Sequence, residues 1–310
     1  MRFTLRQLSY FVAAGETGSV TRAAEQVNIS QPSVSAAISH LESEFGVQLF
    51  VRHHAQGLSL TPAGRRLLRA AKESLRSAYE LYDVASTSVG AVAGPINVGA
   101  FRTFTPVILP ELWRSFVARH PDVRMSVTEG SEAELLEGLR NARIDIALTY
   151  EVNMTGDMDF LPLAELPTYV LLPAGHPLAA RGRLRLADLG AEGFVLLDLP
   201  LSRQYFLSLF EKAGTPPRIV AETSSPAALR SYVGAGIGFS LMTMRPRNMS
   251  AENGCPLAYV TLEDDMPPMR LGLAVLRDLR RPRVVEAFEA HCRDLISTGN
   301  LPGMASIGAP

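Results

Sequence analysis

Residues 21–42, TRAAEQVNISQPSVSAAISHLE, constrain this chain more than any other stretch, because two short amphipathic helices are joined there by only a few residues. Val20, Ala23, Ala24 and Val27 follow the i, i+3, i+4, i+7 spacing of a short helix with one narrow apolar face. Asn28-Ile29-Ser30 reads as a turn, with Ser30 placed to cap the next helix by accepting from its free amides. That helix repeats Val34, Ile38, Leu41 and Phe45 and stops at Gly46. Its opposite side carries Pro32, Ser33, Ser35, Ala36, Ser39, His40 and Ser43, while Glu42 and Glu44 come late and to the flanks. A smooth, short-chained face rich in hydrogen-bonding groups can enter the DNA major groove and approach base edges closely. Two helices joined by a tight turn, the second offering its N-terminal residues, match helix-turn-helix geometry. The competing reading is a small all-helical subdomain whose serines face water.

The flanks narrow this. Leu5, Leu8 and Val12, with Phe11 beside them, predict a first helix over about residues 4–15, interrupted at Gly18 and Ser19. Val47, Leu49 and Val51 alternate, the segment from Arg52 to Gly57 turns, and Leu58-Ser59-Leu60 alternates again. This predicts a two-stranded wing with a basic tip, able to set Arg52 and the histidines against phosphates or a minor groove. The pair His53-His54 is not read as a metal site, since adjacent strand residues point to opposite faces.

The segment QLSYFVAAGETGSVTRAAEQVNISQPSVSAAISHLESEFGVQLFVR, followed by LTPAG, resembles the N-terminal domain of the LysR-type transcriptional regulators. The match covers about residues 3–66 and includes Ala23-Ala24, the S-Q-P-x-V-S core, L-E-x-x-x-G and L-F-x-R. Ala36 and Ala37 depart from it, standing where the family usually carries a long polar or basic residue. The resemblance and the faces above give Arg22, Ser30, Gln31, Pro32, Ser33, Ser35, Ser39, Arg52, His53 and Arg65 as candidate DNA contacts. Double-stranded promoter DNA with two half-sites is the expected partner, with RNA polymerase a further one.

Thr61-Pro62 is a helix start, and Ala63, Leu67, Ala70, Ala71, Leu75, Ala78, Leu81, Tyr82 and Ala85 continue it with small and leucine residues on one side. A helix of this kind wants a partner, either its own domain or a second chain. The resemblance implies dimerisation through it, a tetramer beyond that, and Arg65, Arg66 and Arg69 near the DNA backbone. Ser86 to Pro95 reads as a hinge of small residues.

From Pro95 strands and helices alternate, which implies parallel strands with right-handed crossovers. Strands are expected at 96–100, 123–129, 144–149, 194–197, 219–222, 237–242 and 271–276, and a crossing strand at 167–173. Helices are expected at 106–119, 132–141, 202–213, 226–234 and 282–297. Two lobes joined by crossing strands make a clamshell resembling periplasmic solute-binding proteins and the family's effector domain. The fold class is therefore multidomain α+β. A winged helix-turn-helix (1–60) precedes a linker helix and hinge (61–91), a two-lobed α/β effector domain (92–300) and a frayed tail (301–310). Lobe 1 is expected over about 92–163 and 266–300, lobe 2 over about 164–265.

Ligands in such lobes sit at the carboxyl ends of strands. Thr105-Pro106, Pro200-Leu201-Ser202 and Ser225-Pro226 follow three of those ends and suggest helix starts offering free amides to an anion. Phe101, Arg102, Thr103, Tyr150, Ser202, Arg203, Thr223 and Ser224 are the candidate effector residues. The two arginines suit a small anionic metabolite of carboxylate type. No cofactor beyond this small-molecule effector is expected. Gly234 to Gly238 is not a nucleotide loop, because it precedes a strand.

Composition excludes several classes. The 310 residues are 47% hydrophobic and 20% charged, with net charge −1, so global charge does not point to nucleic acid. No run is long and apolar enough to span a membrane, and MRFTLRQLSYFVAAGETGS lacks the pattern of a signal peptide, so a cytoplasmic protein is expected. Cys255 and Cys292 make neither a disulfide framework nor zinc spacing. No catalytic set converges, and an enzyme is not expected. A transport binding protein and an enzyme with an accessory helical domain remain the competing classes. A salt-dependent DNA shift separates both from a regulator.

Overall fold

The structure is a computed structural model and describes residues 3–53, 57–86, 92–277, 281–297 and 300–304. It falls into two compact units, one of the residues up to Gly94 together with Arg140–Arg143 and Pro282–Val284, and one of the other residues from Pro95 onward.

In the first unit, α1 (Leu5–Thr17) begins at a reciprocal cap: Gln7 N donates to Thr4 Oγ1 and Thr4 N to Gln7 Oε1. It ends at Gly18, whose φ of 61° suits a residue without Cβ. Next come α2 (Val20–Gln26), a turn through Asn28, and α3 (Gln31–Phe45). Ala23 and Ala24 are buried, so α2 lies close against its neighbours, and they share a core with Leu8, Phe11, Val34, Ile38, Leu41, Leu49 and Phe50. The antiparallel hairpin β1 (Phe50–His53) and β2 (Gly57–Leu60) pairs Phe50 with Leu60 and Arg52 with Leu58.

Three expectations change here. Ser30 is the N-cap residue of α3, but its hydroxyl bonds the Ser33 hydroxyl at 2.8 Å and not a backbone amide. The wing ladder starts at Phe50: Leu49 and Phe50 are both buried, while Val47 and Val51 are exposed. The linker helix α4 (Pro62–Ser86) starts as expected, with Thr61 Oγ1 accepting from Gly64 N at 2.9 Å. Its Leu67, Leu68, Ala71 and Leu75, however, pack on the unit's own core, and Lys72 pairs with Glu16 at 2.6 Å. The first half of the stripe is therefore used within the chain. Of the expected hinge and tail, residues 87–91 and 305–310 lie outside the described residues.

The second unit has two lobes. Lobe 1 holds β3 (Gly94–Phe101), α5 (Leu109–Arg119), β4 (Val123–Gly130), α6 (Glu132–Arg140), β5 (Ile146–Tyr150) and β6 (Met158–Leu166). Lobe 2 follows with β7 (Tyr169–Pro173), β8 (Arg183–Leu184), β9 (Gly193–Leu197), α7 (Pro200–Ala213), β10 (Arg218–Thr223), α8 (Pro226–Gly234), β11 (Ser240–Met242) and β12 (Leu257–Leu262). The chain then returns through β13 (Met269–Leu276) and α9 (Arg283–Leu295). The lobe 1 sheet runs β4-β3-β5-β13-β6, with β3 parallel to β5 and β13 antiparallel to both neighbours. Lobe 2 has a parallel pair β10-β9 and a mixed sheet β11-β7-β12-β8.

The alternation rule therefore describes only part of each lobe. Strands β6 and β12 were absent from the sequence reading, and both enter antiparallel ladders. The expected helix at Pro106 starts three residues later, at Leu109, because residues 102–108 form tight turns ending in Ile108 N donating to Phe104 O. The expected frayed tail is also corrected over its described part. Leu301 and Met304 are buried, and Met304 bridges Pro246. Among the described residues no helix is long and apolar enough to cross a membrane.

Candidate nucleic-acid interface and ligand cleft

On α3, Val34, Ala37, Ile38 and Leu41 are buried, whereas Gln31, Pro32, Ser33, Ala36, Ser39 and Ser43 are exposed and Ser35 is half-buried. The helix thus shows two clean faces. The exposed one carries no acid until Glu44 at its far end. Arg22 is exposed on α2, its guanidinium donating to Thr17 O at 2.5 Å, and Arg65 is exposed on α4, donating to Leu60 O at 2.8 Å. Each arginine therefore spends one N–H on the frame and keeps others available. The side chains of Arg52 and His53 lie outside the described residues, although their backbone forms β1.

Glu42 was missed as a site residue. Its Oε1 accepts from Leu49 N at 2.8 Å and from Phe50 N at 3.2 Å. One carboxylate near the end of α3 thereby holds the first residues of the wing. Gly64 completes the junction, since a Cβ there would lie 2.1 Å from Leu49 O. The sequence signal for Glu42 was its place in the L-E-x-x-x-G element, which carried the resemblance without giving the acid a role.

In the second unit, Arg102 N donates to Gly130 O at 3.2 Å, so β3 and β4 end side by side. The Arg102 guanidinium donates to Glu134 Oε2 at 3.1 Å. Glu134 also accepts from Ser131 N and Oγ; these two bonds, and then Arg102, hold its pKa down at about 2. Phe101 and Tyr150 are buried core aromatics, their ring centroids 5.3 Å apart. The Tyr150 hydroxyl alone leaves that core, reaching Thr243 Oγ1 of lobe 2 at 2.8 Å, and burial pushes its pKa up to about 12. Thr103 is buried beside it, its hydroxyl without an aligned partner. Glu132, also buried, accepts from Asn153 through Oε2 while Oε1 has no bond; burial raises its pKa and the Asn153 bond opposes this.

In lobe 2, Arg203 stands between Asp198 at 2.8 Å and Glu222 at 3.2 Å, and these bonds raise its pKa. Ser202 is buried within the first turn of α7, Thr223 accepts from Ser225 N at 3.2 Å, and Ser224 is exposed. Of the three expected helix starts two are found: α8 begins at Pro226, with Ser225 Oγ accepting from Ala228 N, and α7 begins at Pro200. The helix after Thr105 has Ile108 as its cap residue, and that after Asp198 has Leu199; neither cap makes a side-chain bond. The lobes meet here through Tyr150 and Thr243, while each arginine is paired inside its own lobe. Thr243 was missed, although it follows a strand end and the same rule would have found it.

A winged helix-turn-helix with a bare polar helix face, followed by a two-lobed α/β clamp, defines a ligand-responsive DNA-binding regulator. Residues 5–65 match the family described as bacterial regulatory helix-turn-helix protein, lysR family, and residues 90–297 match the LysR substrate binding domain. The structure is similar to HinK, a LysR family transcriptional regulator from Pseudomonas aeruginosa, at 38% identity and TM-score 0.64, covering 94% of this chain and 98% of that one. It is also similar to full-length CbnR in complex with its target DNA, at 25% identity and TM-score 0.58, covering 94% and 99%. The transcriptional activator protein LysR of Escherichia coli is 28% identical, with 93% of this chain and 91% of that one aligned. The chain belongs to the LysR family of bacterial transcriptional regulators.

Proposed function

We propose that α3 reads base edges in successive major grooves through Gln31, Pro32, Ser33, Ser35 and Ser39. Arg22, Ser30, Arg52, His53 and Arg65 set the head against the phosphates. The observation that carries this is the separation of α3 into a packed apolar face and an exposed, acid-free one. Replacing Gln31 with alanine should cost about 1–3 kcal/mol of operator binding and relax preference at one position per half-site. Arg52→Ala should weaken all sequences alike. Fluorescence anisotropy over a panel of operator variants separates these outcomes, and an unchanged preference in Gln31→Ala would remove this residue from the reading face.

The protein works as a regulator and not as an enzyme, in the compartment that holds the chromosome, the cytoplasm. Residues 1–60 read DNA, 61–91 join chains, and 92–300 respond to the effector; RNA polymerase is the downstream partner. Because Leu67 and Leu75 are half-buried against the head's own core, self-association falls to the part of α4 that follows them, beginning at Ala78. Sedimentation of Ala78→Glu is expected to show smaller species with the head still folded, since a charge in the chain-to-chain contact would be buried unpaired. An oligomer of wild-type mass would exclude that part of α4.

The effector is a small molecule bound where the strands of both lobes end. A carboxylate enters this site by exchanging places with Glu134 at Arg102, or with Asp198 and Glu222 at Arg203. Calorimetry with small carboxylates is expected to show binding that Arg102→Ala removes, while ligand-free operator binding stays intact. Equal binding by both proteins would take Arg102 out of the site, and a neutral compound as the only ligand would end the anionic assignment.

A further inference from the structure

The last described residues, 300–304, leave lobe 1 after α9 and lie across both lobes. Gly303 N donates to Glu111 Oε2 at 2.6 Å on α5 of lobe 1. On the other side Arg247 N donates to Gly303 O at 3.2 Å, and Arg247 Nε to Met304 O at 3.2 Å. Arg247 belongs to the loop between β11 and β12 of lobe 2, and its guanidinium also reaches Glu111 at 3.6 Å. Beside Gly303 lies a cavity of about 400 Å³ lined by Val107, Glu111 and Arg114 from lobe 1 and by Pro246 and Arg247 from lobe 2. The short strap bridges that gap.

We propose that this strap is a latch that holds the angle between the two lobes. Both of its ends are seated: Leu301 and Met304 are 4% and 5% exposed, and Met304 pairs with Pro246 as an antiparallel bridge. Its path is sterically specified at one residue. Gly303 has φ of 73°, and a Cβ there would lie 1.9 Å from the Val107 carbonyl oxygen of lobe 1. The lobe 2 loop that receives it is itself held rigid. Arg230, buried on α8, donates to Asn248 O at 2.9 Å and to Ser250 O at 2.6 Å. A continuous set of contacts therefore runs from α5 through the strap to α8. Moving one lobe against the other must break the Arg247 bonds and expose Met304, or carry the strap away from Val107.

The latch adds a fixed free energy to one lobe arrangement, and a ligand can change that arrangement only by its own differential affinity. That it sets how much effector is needed rests on the effector reading above. The latch itself does not, and its test needs no effector.

Gly303→Val expels the strap sterically, and Arg247→Ala removes only the guanidinium contacts to Met304 O and Glu111 while leaving the backbone bond from residue 247 to Gly303, so the second, milder variant keeps the test open if the first folds poorly. In the full chain, hydrogen exchange would be followed at the amides of residues 247 and 303. Spin labels at Ala118→Cys on α5 and Glu211→Cys on α7, in a Cys255→Ser background and diluted with unlabelled protein, would report the distance between lobes. Exchange about tenfold faster in Gly303→Val is expected, the loss of one bonded register. A shifted or broadened lobe distance should accompany it, with a smaller change of the same sign in Arg247→Ala. Unchanged exchange would mean that these contacts do not hold the strap. Faster exchange with an unchanged lobe distance would mean that the strap is held but latches nothing, and either result overturns the proposal.

Discussion

Glu42→Ala is expected to lower the stability of the DNA-binding head by about 2–4 kcal/mol, because two hydrogen bonds to a charged acceptor are lost at once. Both bonds end on backbone amides of consecutive residues, Leu49 and Phe50, which the core buries. The alanine variant leaves those amides with no carboxylate in reach, and the wing loses its tie to α3. Operator affinity should fall along with stability, since the wing and α3 must meet one duplex at a fixed offset. Glu42→Gln keeps a carbonyl oxygen at the same reach and should recover about half of the loss. Urea denaturation of the three proteins, with the wing's hydrogen exchange followed in parallel, checks this. Wild-type stability in the alanine variant would show that α3 and the wing are held by apolar packing alone.

What was legible in the sequence followed from local rules. The two faces of α3 and its stop at Gly46 needed only the 3.6-residue period and the glycine at a φ of 64°. The start of α4 needed only Thr61-Pro62. The positions of Arg102 and Arg203 near strand ends were legible too. Their ion-pair partners were not, because Glu134 lies 32 residues from Arg102 and Glu222 lies 19 from Arg203, and no local pattern links such pairs. Strand β6 hid behind Pro162 and a mixed burial pattern; it is specified by its long ladder with β13, which comes more than a hundred residues later. The strap at 300–304 read as tail because glycine and proline in a short terminal segment resemble disorder. Its order comes from Glu111 and Arg247, both distant in sequence. Leu75 shows another limit: its spacing was legible, but an apolar stripe says nothing about which surface covers it, and the head's own core covers part of this side chain.

The largest effect on function is expected from Ala36→Glu. Ala36 is exposed near the middle of the bare face, between Pro32 and Ser39. A glutamate there suits a helix and touches no core side chain, so stability should stay within about 0.5 kcal/mol of wild type. Against DNA it would bring both bulk and negative charge into a groove already lined by phosphates. Binding should weaken about a hundredfold, several kcal/mol being typical of like charges brought together at an interface. The measurement is operator affinity of Ala36→Glu beside wild type at one fixed salt concentration, with thermal unfolding recorded on the same samples. The account predicts an unchanged unfolding temperature and loss of operator binding. Unchanged operator binding by a folded Ala36→Glu protein would contradict it, because α3 would then lie outside the DNA interface.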